Sequence, residues 1–286
     1  MADGSSIINF GDLAKPATVL IEKISNAVGV LYEPRRVIKK AHAEAEAEKI
    51  KALAGIELSD IEQRAIERHI KQESKKQENI EKITAQAAVN LPPNAKPEDI
   101  EDDWLTHFFD KCDKISNEQM QSLWSNLLSG EATKPGTYSK RTVDLVASMD
   151  RKDADLFTRF CQFTWMVGEP TPMIFDITDE VYSSAGITFS DLKHLDAIGL
   201  ISFESVSGYA KKGVTKKGVV FYFGQKTLLK FPEEENNKFG IGQALYTQAG
   251  KELVTICNAA KNEKFVDYCK EQFKKNQLTW PPTIIG

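Results

Sequence analysis

The sequence predicts a mainly α fold: a long charged helix and a helical bundle, followed by a C-terminal winged-helix-like α+β module. Three observations carry this expectation. Residues 35–91 are rich in Ala, Glu, Lys, Gln and Ile, hold no proline, and contain a single glycine, Gly55. Such a composition suits an exposed, charge-laced helix or helix pair rather than a compact domain. From Glu98 onward, large apolar residues recur at helical spacing. After Gly168 the apolar runs shorten and become β-rich, in the order helix, strand, hairpin. The composition shifts divide the chain into a leader with an amphipathic helix (1–34), the long charged helix or helix pair (35–91), the bundle (95–167) and the winged-helix-like module (168–286).

The elements follow in order. Residues 1–12 form a leader. Pro16 suits the first turn of a helix, whose stripe is Leu20, Ile24, Ala27, Val28 and Leu31. Pro34 ends it, and the basic residues Arg35, Arg36, Lys39 and Lys40 follow. The run AHAEAEAEKIKALAG has high helix propensity. Ser59 and Glu62 have the spacing of a capping box, so a helix restarts there. Ile50, Ala54, Leu58, Ile61, Ala65 and His69 mark a narrow coiled-coil-like seam, wide enough for one partner helix. The proline-rich LPPNAKP is a linker.

Trp104, Leu105, Phe108, Phe109, Cys112 and Ile115 then outline one bundle helix. Ser116 is the expected cap of the next, with Gln119 at capping-box distance and Gly130 at its C-terminal end. Another helix is expected from Lys140 to Met149. Asp150 caps a fourth, in which Leu156, Phe157, Phe160, Cys161 and Trp165 face inward. EPTPMIFDI is extended. SDLKHLDAIGLISFE is a helix ending at Gly199 and running into a strand. VVFYFG and KTLLKF are short β runs, and the last helix covers Glu263 to Lys275.

A length of 286 residues suits two modest domains. The chain is 41% hydrophobic with a net charge of −4, a pI near 5.7 and a mean hydropathy of −0.36. That balance argues against a whole-surface nucleic-acid binder and leaves room for a local basic patch. The four cysteines, Cys112, Cys161, Cys257 and Cys269, form no CxxC pair and read as buried free thiols in a reducing compartment. Neither a signal peptide nor a stretch near the roughly 18 apolar residues of a spanning helix is visible. The expected compartment is the cytoplasm, with the inner-membrane surface as the alternative.

Candidate chemistry is sparse, and neither a cofactor nor a metal is expected. There is no HExxH, Walker A or GxSxG motif, and FGIGQ supplies only a GxG at Gly240 and Gly242. Arg64 and His69 have the R-x4-H spacing of the HEPN class of dimeric ribonucleases, where histidine moves a proton and arginine stabilises phosphorane charge. The same spacing arises easily on any charged helix. Asp103, His107 and Asp110 would share a helix face with mixed N and O ligands. Acidic residues in a first turn are equally expected from the helix dipole. Lys211, Lys212, Lys216 and Lys217 in YAKKGVTKKGVVFYF would form a basic hairpin tip, with Lys193 and His194 on the preceding helix. As a wing and recognition helix these six residues would contact nucleic acid. As a plain hairpin the lysines would blunt an edge strand. Leu20, Ile24, Val28 and Leu31 with Arg35 and Arg36 would serve either an oligomer contact or an anionic membrane surface.

Three blocks carry a resemblance. They are GDLAKPATVLIEKISNAVGVLYEP (Gly11 to Pro34), EDIEDDWLTHFFDKCDKISNEQMQSLWSNLLSGEATKPGTYSKRTVDLVASMD (Glu98 to Asp150) and HLDAIGLISF (His194 to Phe203). In order and spacing they resemble an uncharacterised bacterial family filed as domain of unknown function 2806. The resemblance implies a bacterial protein often found with mobile elements, and it implies no catalytic residue. The resulting expectation is a non-enzymatic protein that forms a homo-oligomer and meets a protein partner, in phage defence or mobile-element biology. The alternatives are a winged-helix nucleic-acid binder, a membrane-acting effector and a dimeric HEPN-like ribonuclease.

Overall fold

The computed structural model describes residues 14–29 and 60–280. The leader, Leu31, Arg35, Arg36, the AHAEAEAEKIKALAG run, Ser59 and the Ile50–Leu58 part of the seam lie outside the described residues. The chain divides into two compact units, Met1–Ala147 and Ser148–Gly286. The first is helical. The second holds eight strands among the described residues, so the fold is α+β and the mainly α expectation is overturned.

In the first unit, α1 (Lys15–Val28) starts at Pro16 and stops at Gly29, which sits at φ 72 and donates its N–H to the Ser25 carbonyl at 3.0 Å. Its buried face is Ala17, Leu20, Ile21 and Ile24. Helix α2 (Asp60–Val89) begins one residue after Ser59. Helix α3 (Asp102–Cys112) opens on Asp102 and Asp103, whose charge favours a helix start. Helix α4 (Glu118–Thr133) is capped by Asn117, which accepts the Met120 N–H at 3.1 Å, so the cap falls one residue after Ser116. It also runs through Gly130 instead of ending there. A Cβ at Gly130 would lie 2.6 Å from the Tyr138 hydroxyl and 2.7 Å from its ring, so glycine here admits the tyrosine. Helix α5 (Lys140–Ser148) follows. Phe108 stacks on Trp104 at 5.0 Å and meets Trp124 edge-on at 5.1 Å, the heart of the apolar core. Buried Glu131 accepts the N–H groups of Gly136 (2.6 Å) and Tyr138 (2.9 Å) and so fixes the loop between α4 and α5.

In the second unit, α6 (Arg151–Cys161) opens on a reciprocal capping box between Asp150 and Asp153. It stops at Cys161. Trp165 therefore belongs to a strand, β1 (Thr164–Val167), where it is still buried and stacks on Tyr222 at 4.9 Å. After β2 (Glu169–Pro172) come α7 (Glu180–Ser183), α8 (Phe189–Ala197), β3 (Ile201–Phe203), β4 (Tyr209–Val214), β5 (Lys217–Tyr222), β6 (Gln225–Lys230), β7 (Asn237–Gly242) and β8 (Ala244–Tyr246). Helices α9 (Gln248–Leu253) and α10 (Glu263–Lys275) complete the unit. The strands form a four-stranded sheet in the order β2-β1-β5-β6 and two pairs, β3-β8 and β4-β7, all antiparallel.

This topology replaces the winged-helix expectation. A wing would pair β4 with β5, but β4 pairs with β7 and β5 with β6. The true hairpin turns through Phe223 (φ 45) and Gly224 (φ 78), both at the positive φ of a tight two-residue turn. The lysine-rich segment 211–217 instead crosses from one sheet to the other. Between Lys211↔Phe239 and Val214↔Asn237, two residues (Lys212 and Gly213) oppose Lys238 alone. That bulge, with Gly213 at φ 71, bends β4, and the chain leaves the pair after Val214. Gly242 sits at φ 101 in a bridge to Ile174, where a Cβ would lie 2.1 Å from the Ile174 carbonyl oxygen.

Candidate functional site

The structure does not bring the six expected nucleic-acid contacts together on one tip. Lys211 Nζ donates to the Val167 carbonyl at 2.5 Å and lies 3.7 Å from Glu169. Glu169 also binds Lys251 at 2.6 Å, and these two lysines, Lys251 foremost, hold its carboxyl below the usual range. Lys216 pairs with Glu234. Lys193 lies 3.7 Å from Asp196 and over the Phe203 ring. His194 Nε2 sits 2.6 Å from Asp153 Oδ1. Lys212 and Lys217 are exposed on different sheets, and no carboxylate lies within ion-pair range of either among the described residues.

Of the expected contact residues on α1, Leu20 and Ile24 are fully buried in the first unit and Val28 is half-buried. Their helix packs on α2 and α3. Arg64 pairs with Asp60 at 3.0 Å, and His69 is exposed one turn further along α2. His107 lies 3.0 Å from Asp144 Oδ1 without the alignment of a hydrogen bond. Asp144 also binds Lys111 at 3.0 Å, and that contact comes first in holding its carboxyl low. No group of three or more His, Cys, Asp or Glu among the described residues is placed to hold a metal. None of the described helices is long and apolar enough to cross a membrane.

Two exposed surfaces stand out instead. The first is the N-terminal half of α2. In its C-terminal half, Asn79, Ile83, Thr84, Ala87 and Ala88 are buried, and the helix packs on α1 and α4. Ile61, Ala65, Ile66, His69 and Ile70 each stand five helical turns (about 18 residues) before one of these and so point to the same side. No element among the described residues covers them: Ile61, Ile66 and Ile70 are 68%, 47% and 58% exposed. The core-facing stripe therefore continues beyond the helices that cover it. Charges of both signs flank it, among them Arg64, Glu67, Arg68, Lys71 and Glu73.

The second is the outer face of the four-stranded sheet. Val219 and Phe221 alternate outward from buried Val220 and Tyr222, and Met166 pairs with Phe221 across to β1. Register places Lys217, Lys226, Leu228 and Lys230 on the same face. Apolar residues thus sit within a rim of lysines. Of these, only Lys217 is visible in the sequence as part of a basic cluster. The others are scattered along strands and converge only through pairing.

A helical unit joined to a unit of small antiparallel sheets defines a protein of α+β type with exposed apolar stripes. The chain belongs to the family described as protein of unknown function, DUF2806, which matches residues 63–270. No curated protein and no solved structure matches it.

Proposed function

We propose that this is a non-enzymatic interaction protein that self-associates through the free half of α2. The observation that carries this reading is the uncovered continuation of a buried stripe over Ile61, Ala65, Ile66, His69 and Ile70. A second copy is the favoured occupant because the flanking charges are of both signs and so self-complementary. A nucleic acid or an anionic membrane would favour one sign only. Leu20 and Ile24 are spent inside the first unit and are not offered to lipid. Full burial of an isoleucine contributes about 1.5–3 kcal/mol, so half to two-thirds of that from six residues in a dimer gives roughly 5–12 kcal/mol before association costs of roughly 4–15 kcal/mol. Only the favourable end of that balance, about 8 kcal/mol net, gives a concentration-dependent dimer with a Kd near a micromolar, and that is the case we propose. Phage defence or mobile-element biology is the setting we propose from family company alone.

The test is the mass by light scattering across a concentration series, for the native chain and for Ile66→Glu with Ile70→Glu. The native chain should pass from monomer to dimer and the variant should stay monomeric. A native chain that is monomeric at about 100 μM, well above a micromolar Kd, would sink the proposal. The sheet face supports a second reading, as a platform for single-stranded nucleic acid, with Phe221 for stacking and Lys217, Lys226 and Lys230 for phosphates. Its binding would fall steeply with salt and vanish when those lysines become Glu.

A further inference from the structure

A cleft of about 500 Å³ opens on the β4–β7 pair. Its lining includes Tyr209, Ala210, Lys212, Lys238, Gly240 and Gln272, together with Phe175 and Asn276. We propose that this cleft binds a phosphorylated small molecule, with the phosphate held between Lys212 and Lys238.

The two lysines face each other across the bulge, since Lys212 and Gly213 together oppose Lys238. Like charges opposite one another on paired strands repel. Both are exposed, and no carboxylate among the described residues lies within ion-pair range of either. Their neighbours differ: Lys211 has Glu169 and Lys216 has Glu234. Lys211 and Lys216 are thus balanced within the fold, while this facing pair is left for an external anion. The floor beside the lysines is small, because Ala210 pairs with Gly240. A Cβ at Gly240 would meet nothing within 4 Å, so the space above it is open. Two aromatic residues, Tyr209 and Phe175, and two amide residues, Gln272 and Asn276, also line the cleft, which suits a ligand carrying a flat polar group as well as a phosphate. The volume is that of a small-molecule site. The same phosphate chemistry is presented by a free nucleotide and by the 5′ end of a nucleic-acid strand. The presence of side chains besides the lysines along the cleft favours the free molecule.

The test is calorimetric titration of the full chain with adenosine monophosphate, inorganic phosphate, and an oligonucleotide with and without a 5′ phosphate. Adenosine monophosphate should bind at about 1 mM or tighter. Lys212→Gln and Lys238→Gln should each weaken it about tenfold or more, the loss of a charge-assisted hydrogen bond. Gly240→Val should abolish binding by filling the floor, with an unchanged far-ultraviolet spectrum and melting temperature. Equal binding of inorganic phosphate would support the anion cradle and assign the rest of the cleft no role in affinity. No binding of any probe at about 10 mM, or binding unchanged in all three variants, would overturn the proposal. So would binding confined to the oligonucleotide and indifferent to its 5′ phosphate. None of these outcomes depends on whether the chain dimerises.

Discussion

Two glycines on one strand should respond in opposite ways to the same substitution. At Gly242, φ is 101 and an added Cβ would lie 2.1 Å from the Ile174 oxygen and 2.4 Å from its carbon. Both are backbone atoms and cannot swing aside. Strain from the disallowed φ costs about 1–3 kcal/mol. Parting the strands also endangers the bond that the Gln243 N–H donates to the Ile174 oxygen at 2.6 Å, and an unmade buried bond costs about 1–3 kcal/mol. Gly242→Ala should therefore destabilise the second unit by about 2–6 kcal/mol, a large share of the roughly 5–15 kcal/mol of a typical domain. At Gly240, φ is not positive and the space is open. Gly240→Ala should be neutral or stabilise by about 0.4–1 kcal/mol through the unfolded chain. Urea unfolding followed by tryptophan fluorescence gives both values, with Trp165 reporting on the second unit. If the two variants fall within about 1 kcal/mol of each other, the close approach of Gly242 to Ile174 is not a constraint on the fold.

Two further predictions follow from titratable groups. Asp153 is mostly buried. Burial would raise its carboxyl, but the His194 contact at 2.6 Å and the Asp150 N–H outweigh it and hold the group below the ordinary 3.8. Because its folded value is depressed, its stabilisation is full above that ordinary value and is lost as pH falls through the folded one. Asp153→Asn should cost about 1–3 kcal/mol near neutral pH and flatten the acid limb of the stability curve below about pH 4, read by urea midpoints across pH. Burial pushes the Cys112, Cys161 and Cys269 thiols well up, whereas Cys257 is partly exposed. An aromatic disulfide reagent should thus modify one thiol per native chain quickly and the other three only on unfolding.

The helical elements were largely legible because their signals are local. Pro16, the Asp150 capping box and the apolar period of Glu263 to Lys275 lie within or beside the helices they define. Asn117 displaced Ser116 because both residues are good caps in adjacent positions, and side-chain geometry decides between them. Some strands were legible too, since VVFYFG and KTLLKF are β5 and β6 and the strand after Gly199 is β3, but the pairing of the sheets was not. Trp165 continues the apolar spacing of α6, so the change from helix to strand leaves no mark in periodicity. β4 finds β7 across a long intervening segment, and neither strand is apolar enough to stand out. The lysine cleft was hidden for the same reason. Its parts come from four separate segments, and its traces in the sequence were Lys212 within the basic cluster and the GxG of Gly240 and Gly242. The uncovered half of α2 was partly visible, as the end of a seam through Ile61, Ala65 and His69. Ile66 and Ile70 joined it only once the buried side of the helix was known.

Helix α2 is anchored along one half, and its other half carries the same stripe into solvent. Any partner that covers residues 60–75 grips a rod that is continuous with the core of the first unit, about 24 Å long at 1.5 Å per residue. Occupancy of the free half is then linked thermodynamically to the folding of the anchored half. The first unit would gain melting temperature with protein concentration as its second copy binds, while the second unit would not. Abundance in the cell would set how firmly the helical unit is folded, and dilution would loosen it.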